Sequence, residues 1–281
     1  MKDIPRQRGL SISMTIGAAM LLFLAMAPPS AAAGRRSIWG SSRDGKAAGM
    51  EDIMIRTHTG NMKLANPSGG ITVESVSGDC DVSSGGGALV IGTVTGSLKA
   101  LTKAGEIRIG SVTGGILAST RAGNISISRA QQHAEVSTDL GEIVIEHGES
   151  VTARTIQGGD VKLLDAGGET DIVAKGNITM VVNRKLPEGA GCRLQTDVGN
   201  IILYLPDDFA ADFEISTPYT MDPDRETRIE SDFTYKNFKQ KVDKSGDSFT
   251  ISTTINGGGS RFRLYVNKGN VFINKIKKSV N

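Results

Sequence analysis

Gly105-Glu106-Ile107-Arg108-Ile109, Gly123-Asn124-Ile125-Ser126-Ile127 and Gly141-Glu142-Ile143-Val144-Ile145 are one motif written three times at intervals of 18 residues. A glycine opens each copy, and apolar side chains follow two and four places later. Working outward, a glycine falls on nearly every ninth position: Gly60, Gly69, Gly78, Gly87, Gly96, Gly105, Gly114, Gly123, Gly141, Gly159 and Gly168, with Gln132 and Ser150 standing in the gaps. A short fixed period is the mark of a repeat architecture. Nine residues are too few for a helix-turn-helix, and apolar residues at every second place give the alternation of a strand.

The units come in two kinds. One ends in Ser75-Val76-Ser77, Thr93-Val94-Thr95 or Ser111-Val112-Thr113, and the other carries Leu101-Thr102-Lys103, Ser119-Thr120-Arg121 or Ser137-Thr138-Asp139. Two units therefore close one turn, and the fold class is all-β: a single-stranded parallel β-solenoid, β-helix or β-roll-like, with about 18 residues per turn. Stacked turns place like residues over like. Ile107, Ile125, Ile143 and Val161 form one interior column, and Ile109, Ile127, Ile145 and Leu163 a second. Opposite them stand Leu98, Ile116 and Ala134, then the smaller Ala100, Ala118 and Val136. Thr102, Thr120 and Thr138 are expected to form a ladder whose hydroxyls bond one another. The glycines are expected to supply sharp bends with positive φ, so that alanine at Gly105 or Gly123 is poorly tolerated. Between Glu149 and Gly158, Val151 and Ala153 fit only after a one-residue slip, which predicts a bulge.

The organisation follows. Residues 1–33 combine Lys2, Arg6 and Arg8, an apolar run from Leu10 to Ala27, and Ser30-Ala31-Ala32-Ala33, the pattern of a signal peptide, with cleavage favoured over retention as a membrane anchor. Residues 34–50 are small and polar and read as a flexible linker; 51–281 form the β-solenoid domain. Its regular repeats run over 51–180 and its irregular turns over 181–281, with a charged insertion from Pro218 to Gly246. Every tyrosine, and every phenylalanine except Phe23, lies after residue 203. A coil's end exposes unpaired strand edges and needs a distinct closure, so the aromatic residues mark a C-terminal cap.

Removing the leader takes three of 32 basic and one of 30 acidic side chains, leaving 29 of each sign. A neutral chain has no global attraction for nucleic acid, and no later segment is long and apolar enough for an integral membrane span. Lys275, Lys277 and Lys278 form a small basic tail, read as a solvated terminus. Cys80 and Cys192 lie about six turns apart, roughly 30 Å at strand spacing, too far for a disulfide.

The chain offers few residues in the patterns that chemistry requires. A calcium β-roll needs an aspartate in each turn where this chain has Leu101, Gly110, Ser119, Ser128 and Ser137. Glu106, Asn124, Glu142 and Asp160 stack one turn apart and read as solvated outward residues. Lys103, Arg121 and Asp139 make an edge column explained by an ordinary ion pair. His58, His133 and His147 share no metal-ligand spacing, the latter two falling at turns. The expectation is therefore a protein that is not an enzyme, with no catalytic, cofactor-binding or metal residues and no cofactor.

The G-[DEN]-Φ-x-Φ units resemble those of a large bacterial adhesin family of unknown function built from β-strand repeats. Gly199-Asn200-Ile201-Ile202-Leu203-Tyr204-Leu205-Pro206, Gly257-Gly258-Gly259 and Gly269-Asn270-Val271-Phe272-Ile273 extend the likeness over roughly 51–276. The resemblance implies an exported solenoid, periplasmic, cell-surface or secreted, and carries over no catalytic residue. The expected role is an adhesin or a cell-envelope binding or scaffold module. Its partner would be an envelope, surface or matrix component, or a second copy by self-association. The alternatives are an envelope-stress sensor contacting membrane or peptides and, less favoured, a polysaccharide-acting β-helix enzyme.

Overall fold

The computed structural model of the chain describes residues 45–46, 51–218, 227–242, 246 and 248–276. Residues 1–33, read from sequence as a signal peptide, and nearly all of 34–50, read as a linker, lie outside the described residues, as does the cationic pair Lys277 and Lys278. Twenty-two strands and no helix are present among the described residues, and all are bonded into one continuous sheet.

The chain winds as a parallel β-solenoid. On the first face, Ile53, Ile71, Leu89, Ile107, Ile125, Ile143 and Val161 are successive register partners, each 18 residues after the last. On the second, Met62, Cys80, Leu98, Ile116 and Ala134 repeat the same offset. A period of two side chains per strand then puts each named column wholly inside. Ile107, Ile125, Ile143, Val161, Ala100 and Ala118 have no exposed surface, and Ile109 and Ile116 have 3%. A further interior column, Val76, Val94, Val112 and Ala130, fills the bend between the faces. Branched residues suit this environment, since each is flanked above and below by its own kind.

The corners have two separate causes for their glycines. At Gly105, Gly123 and Gly141, φ is +143°, +148° and +151°, a region that a Cβ disfavours. A Cβ there would also run into the backbone carbonyl of the glycine one turn below: Gly87 beneath Gly105, Gly105 beneath Gly123 and Gly123 beneath Gly141. At the opposite corner φ is ordinary for Gly96 and Gly114, yet a Cβ would lie 2.6 Å from the backbone of Gly78 and Gly96, respectively. There, close stacking alone requires glycine.

The expected slip is present. Ala130 pairs with Gly148 but His133 with Ser150, so the offset falls from 18 to 17 and Ala134 meets Val151; Leu140 opposite Gly158 restores it. The slip sits where Gln132 and Ser150 interrupt the glycine column. Without the corner glycine, Ile125–Leu140 and Ile143–Gly158 run as unbroken 16-residue strands through the bend. His133 and His147 accordingly lie within strands and not at turns, which corrects the sequence reading.

Threonines 102, 120 and 138 do stack, but their hydroxyls do not bond one another. Each donates to a corner carbonyl 15 residues back: Thr102 to Gly87 O at 3.1 Å, Thr120 to Gly105 O at 3.1 Å and Thr138 to Gly123 O at 3.0 Å. Ser84 makes the same bond to Gly69 O at 2.8 Å. A corner carbonyl turned inward would otherwise be a buried acceptor without a donor, so the column satisfies the backbone.

After Leu205 the rungs leave sequence order. The rung that lies on Gly191–Val198 and Ile201–Leu205 is not the next segment but the last: Ser260–Lys268 and Val271–Lys275, an offset of 70 residues. Ala211–Pro218 and Ile229–Ser231 lie on the far side of that rung, still parallel to it. Ser248–Ile255 then pairs antiparallel to Ala211–Pro218, and Lys236–Val242 antiparallel to Ser248–Ile255. The segment read as an insertion therefore supplies Ile229–Ser231 and Lys236–Val242 to the end of the sheet. The aromatic cluster lies here, with Phe262 stacked on Phe213 at 5.1 Å and edge-on to Phe209 at 6.1 Å. The fully buried ring of Phe262 belongs to the out-of-order rung, so the C-terminal strands are core rather than fringe.

Candidate functional surface

The outward side chains of the second face form one uninterrupted column: Lys63, Asp81, Lys99, Leu117, Glu135, Thr152, Asp171, Arg193, Arg263 and Glu214, every neighbour a register partner. Nine spacings between its ten rungs make it about 43 Å long. A depression sits toward each end. Near the start, one of about 640 Å³ is bordered by Lys63, Asp81, Lys99, Leu117, His133 and Glu135. Toward the cap, a cleft of about 490 Å³ is lined by Glu169, Asp171, Gly191, Arg193, Arg261 and Arg263, among others.

The second cleft is built from two columns two residues apart. Gly191 and Glu169 each precede a residue of the pair Cys192 and Thr170, and Gly191 lies beneath Arg261, which in turn stands beneath Asp212. Next to it run Asp171, Arg193, Arg263 and Glu214. Acids thus flank three central arginines on both sides. Arg263 reaches Glu214 at 3.8 Å, and Arg154 reaches Asp171 at 3.6 Å. Asp212 accepts hydrogen bonds from the Thr254 hydroxyl at 2.9 Å and the Gly259 amide at 3.2 Å. Arg193 makes one long contact to Gln195 at 3.5 Å, and Arg193 and Arg261 form no ion pair among the described residues. Asp171 Oδ1 is buried and has no hydrogen-bond partner among the described residues.

The residues singled out by sequence fare differently. Asn124 and Asp160 are not merely solvated: Asn124 Oδ1 accepts from the Glu142 amide at 2.9 Å and Asp160 Oδ1 from the Asn177 amide at 2.7 Å. The ladder continues from Asn200 N to Asn177 and from Asn270 N to Asn200, both at 2.9 Å, and then from Arg228 N to Asn270 at 3.0 Å. The residue after the corner glycine is thus a rung-to-rung staple, through the out-of-order rung as well. Glu106 forms a forked pair with Arg108, and Glu142 pairs with Lys162. Among the described residues Lys103, Arg121 and Asp139 form no ion pair, which corrects that expectation; exposed long side chains gain too little from pairing to hold one geometry.

His147 Nδ1 lies 2.9 Å from Asp165 and His133 Nδ1 2.9 Å from Ser150 Oγ. Among the described residues no three His, Cys, Asp or Glu side chains are grouped to hold a metal ion. Cys80 and Cys192 are free and buried, six rungs apart in one column, and burial pushes both thiols up to about 12. Lys275 pairs with Asp207 and lies 5.1 Å above the Phe233 ring, so this part of the basic tail is packed. The arginine cleft escaped sequence reading because Arg193 and Arg263 lie 70 residues apart. Their shared Φ-Arg-Φ setting, Cys192-Arg193-Leu194 and Phe262-Arg263-Leu264, was the only sign. Comparison with protein-family models, curated proteins and solved structures finds no match for this chain.

Proposed function

We propose that this chain is an exported, non-catalytic binding module that presents a rigid solenoid face to a component of the cell envelope, cell surface or matrix, in the manner of an adhesin. The observation carrying this reading is the ten-residue outward column with a depression toward each end. Its side chains are set at fixed intervals by a backbone ladder bonded on both sides, so an extended ligand meets pre-ordered groups and little ordering entropy opposes binding. The test is capture from an envelope extract on the immobilised full chain, with a variant altering the column (Lys99→Glu, Leu117→Asp and Arg193→Glu together). Recovery of a defined component by the native chain and its loss with the variant is the expected result. Equal recovery by both removes the column from the reading.

Self-association is the second reading, and one feature favours it. Ile53–Thr59 is bonded to Ile71–Ser77 on one side and to no other strand among the described residues. Such an edge invites pairing with another chain. Sizing of the full chain across a hundredfold concentration range separates the two: growing assemblies favour a polymer, a fixed species the binding module.

A further inference from the structure

We propose that the cleft centred on Gly191 binds an acidic sugar residue, its carboxylate held among Arg193, Arg261 and Arg263 and its hydroxyls turned to the flanking acids. This deepens the binding-module reading and rests on it. Three features of the cleft converge on that chemistry. Cross-strand register puts Arg193 beside Arg263 and Arg261 directly above Gly191, and all three arginines line the cleft at a position where no side chain stands. Guanidinium forks match carboxylates in plane and number of donors. Arg193 and Arg261 have no carboxylate partner of their own among the described residues.

The second feature is the order of charges along the two columns. Glu169 and Asp171 lie below the arginines and Asp212 and Glu214 above, so a simple polyanion meets repulsion at both margins. A ligand with one central carboxylate and hydroxyl donors around it meets acceptors there instead. The third feature is room. A side chain at Gly191 would meet nothing within 4 Å, so the opening is the space that a larger residue would fill. The cleft, at about 490 Å³, lies in the usual ~300–1,000 Å³ range of small-ligand sites.

Calorimetric titration of the full chain with galacturonate, polygalacturonate and fully methyl-esterified polygalacturonate tests the proposal. The acid forms should bind and the neutral ester should not. Gly191→Val blocks the opening without changing charge, and Arg193→Gln with Arg261→Gln removes the unpaired cations. Each should weaken binding by ~10-fold or more, the worth of one or more charged hydrogen bonds. Lys103→Gln, an exposed residue outside the column, should leave binding unchanged. Binding of polymer but not monomer, still lost in Gly191→Val, supports the cleft and assigns its natural ligand to a polysaccharide. Equal binding of the ester, native affinity in Gly191→Val, or equal loss in Lys103→Gln overturns the proposal. If the native chain recovers the envelope component but binds none of the acid sugars, this inference fails and the binding module stands. If nothing is recovered by any form of the chain, both fail.

Discussion

At the scale of single residues, the repeat is held by backbone satisfaction as much as by apolar burial. Gly123 combines a φ of +148° with stacking onto the Gly105 carbonyl, whereas Gly60, at +89°, has open space where a Cβ would go. Gly123→Ala is therefore expected to destabilise by about 3 kcal/mol or more, and Gly60→Ala by about 1 kcal/mol, in urea unfolding. Equal small losses would show that the corner backbone yields easily. The inward threonines give a sharper contrast. Thr120→Val leaves the Gly105 carbonyl buried without its donor and should cost ~1–3 kcal/mol, while Thr120→Ser keeps the bond and most of the stability. A hydroxyl-to-hydroxyl ladder would instead weaken its neighbours at 102 and 138, and neither of those bonds to Thr120.

At the scale of elements, the last rungs behave differently from those of a simple coil. In sequential stacking, cutting the C-terminus removes the outermost rung and leaves the rest intact. Here Ser260–Lys268 and Val271–Lys275 lie between the Gly191–Leu205 rung and the one built by Ala211–Pro218 and Ile229–Ser231. Truncation after Gly259 withdraws an interior layer, Phe262 included, and exposes strand edges on both sides of the gap. The expected outcome is loss of soluble monomer, followed by size-exclusion chromatography. A truncated chain that stays monomeric with a native melting profile contradicts the rung order. The antiparallel pair Lys236–Val242 and Ser248–Ile255 ends the parallel stack, and its outermost strand is exposed along its length with lysines at 236, 239 and 241, a setting that discourages further pairing.

At the scale of the whole molecule, the buried thiols tie stability to pH. Cys80 and Cys192 have an ordinary value of 9.0 and are pushed to about 12, chiefly by burial; Tyr235 is raised for the same reason. Below pH 9 both folded and unfolded chains hold these protons, and the full stability is present. As pH rises from 9 toward 12 the unfolded chain releases them first, so stability falls across that window. Replacing both cysteines by alanine should flatten much of the decline in denaturant midpoint between pH 8.5 and 10.5, conditions chosen to bracket its onset. A decline of unchanged slope would place its cause elsewhere. In the native state both thiols should also resist alkylation at pH 8, because the reactive thiolate is scarce and the sulfur is buried.

Much of the coil was legible in the chain because its information is local and repeated. An 18-residue period states which residues stack, a two-residue alternation states which point inward, and the missing glycines at 132 and 150 even mark the slip. Hydrogen-bond partners were harder to read, since Thr120 and Asn124 advertise bonding capacity without saying to whom. The arginine cleft and the order of the final rungs needed the folded molecule. Once the period lapses after 180, nothing along the chain says that residue 262 lies over 192. That choice was made by the packing of Phe262 against Phe209 and Phe213, and by the Asn177, Asn200 and Asn270 staples meeting in space. Contacts between residues 70 apart are decided by which surfaces fit when the whole sheet is assembled, and repetition can announce only the neighbours it counts.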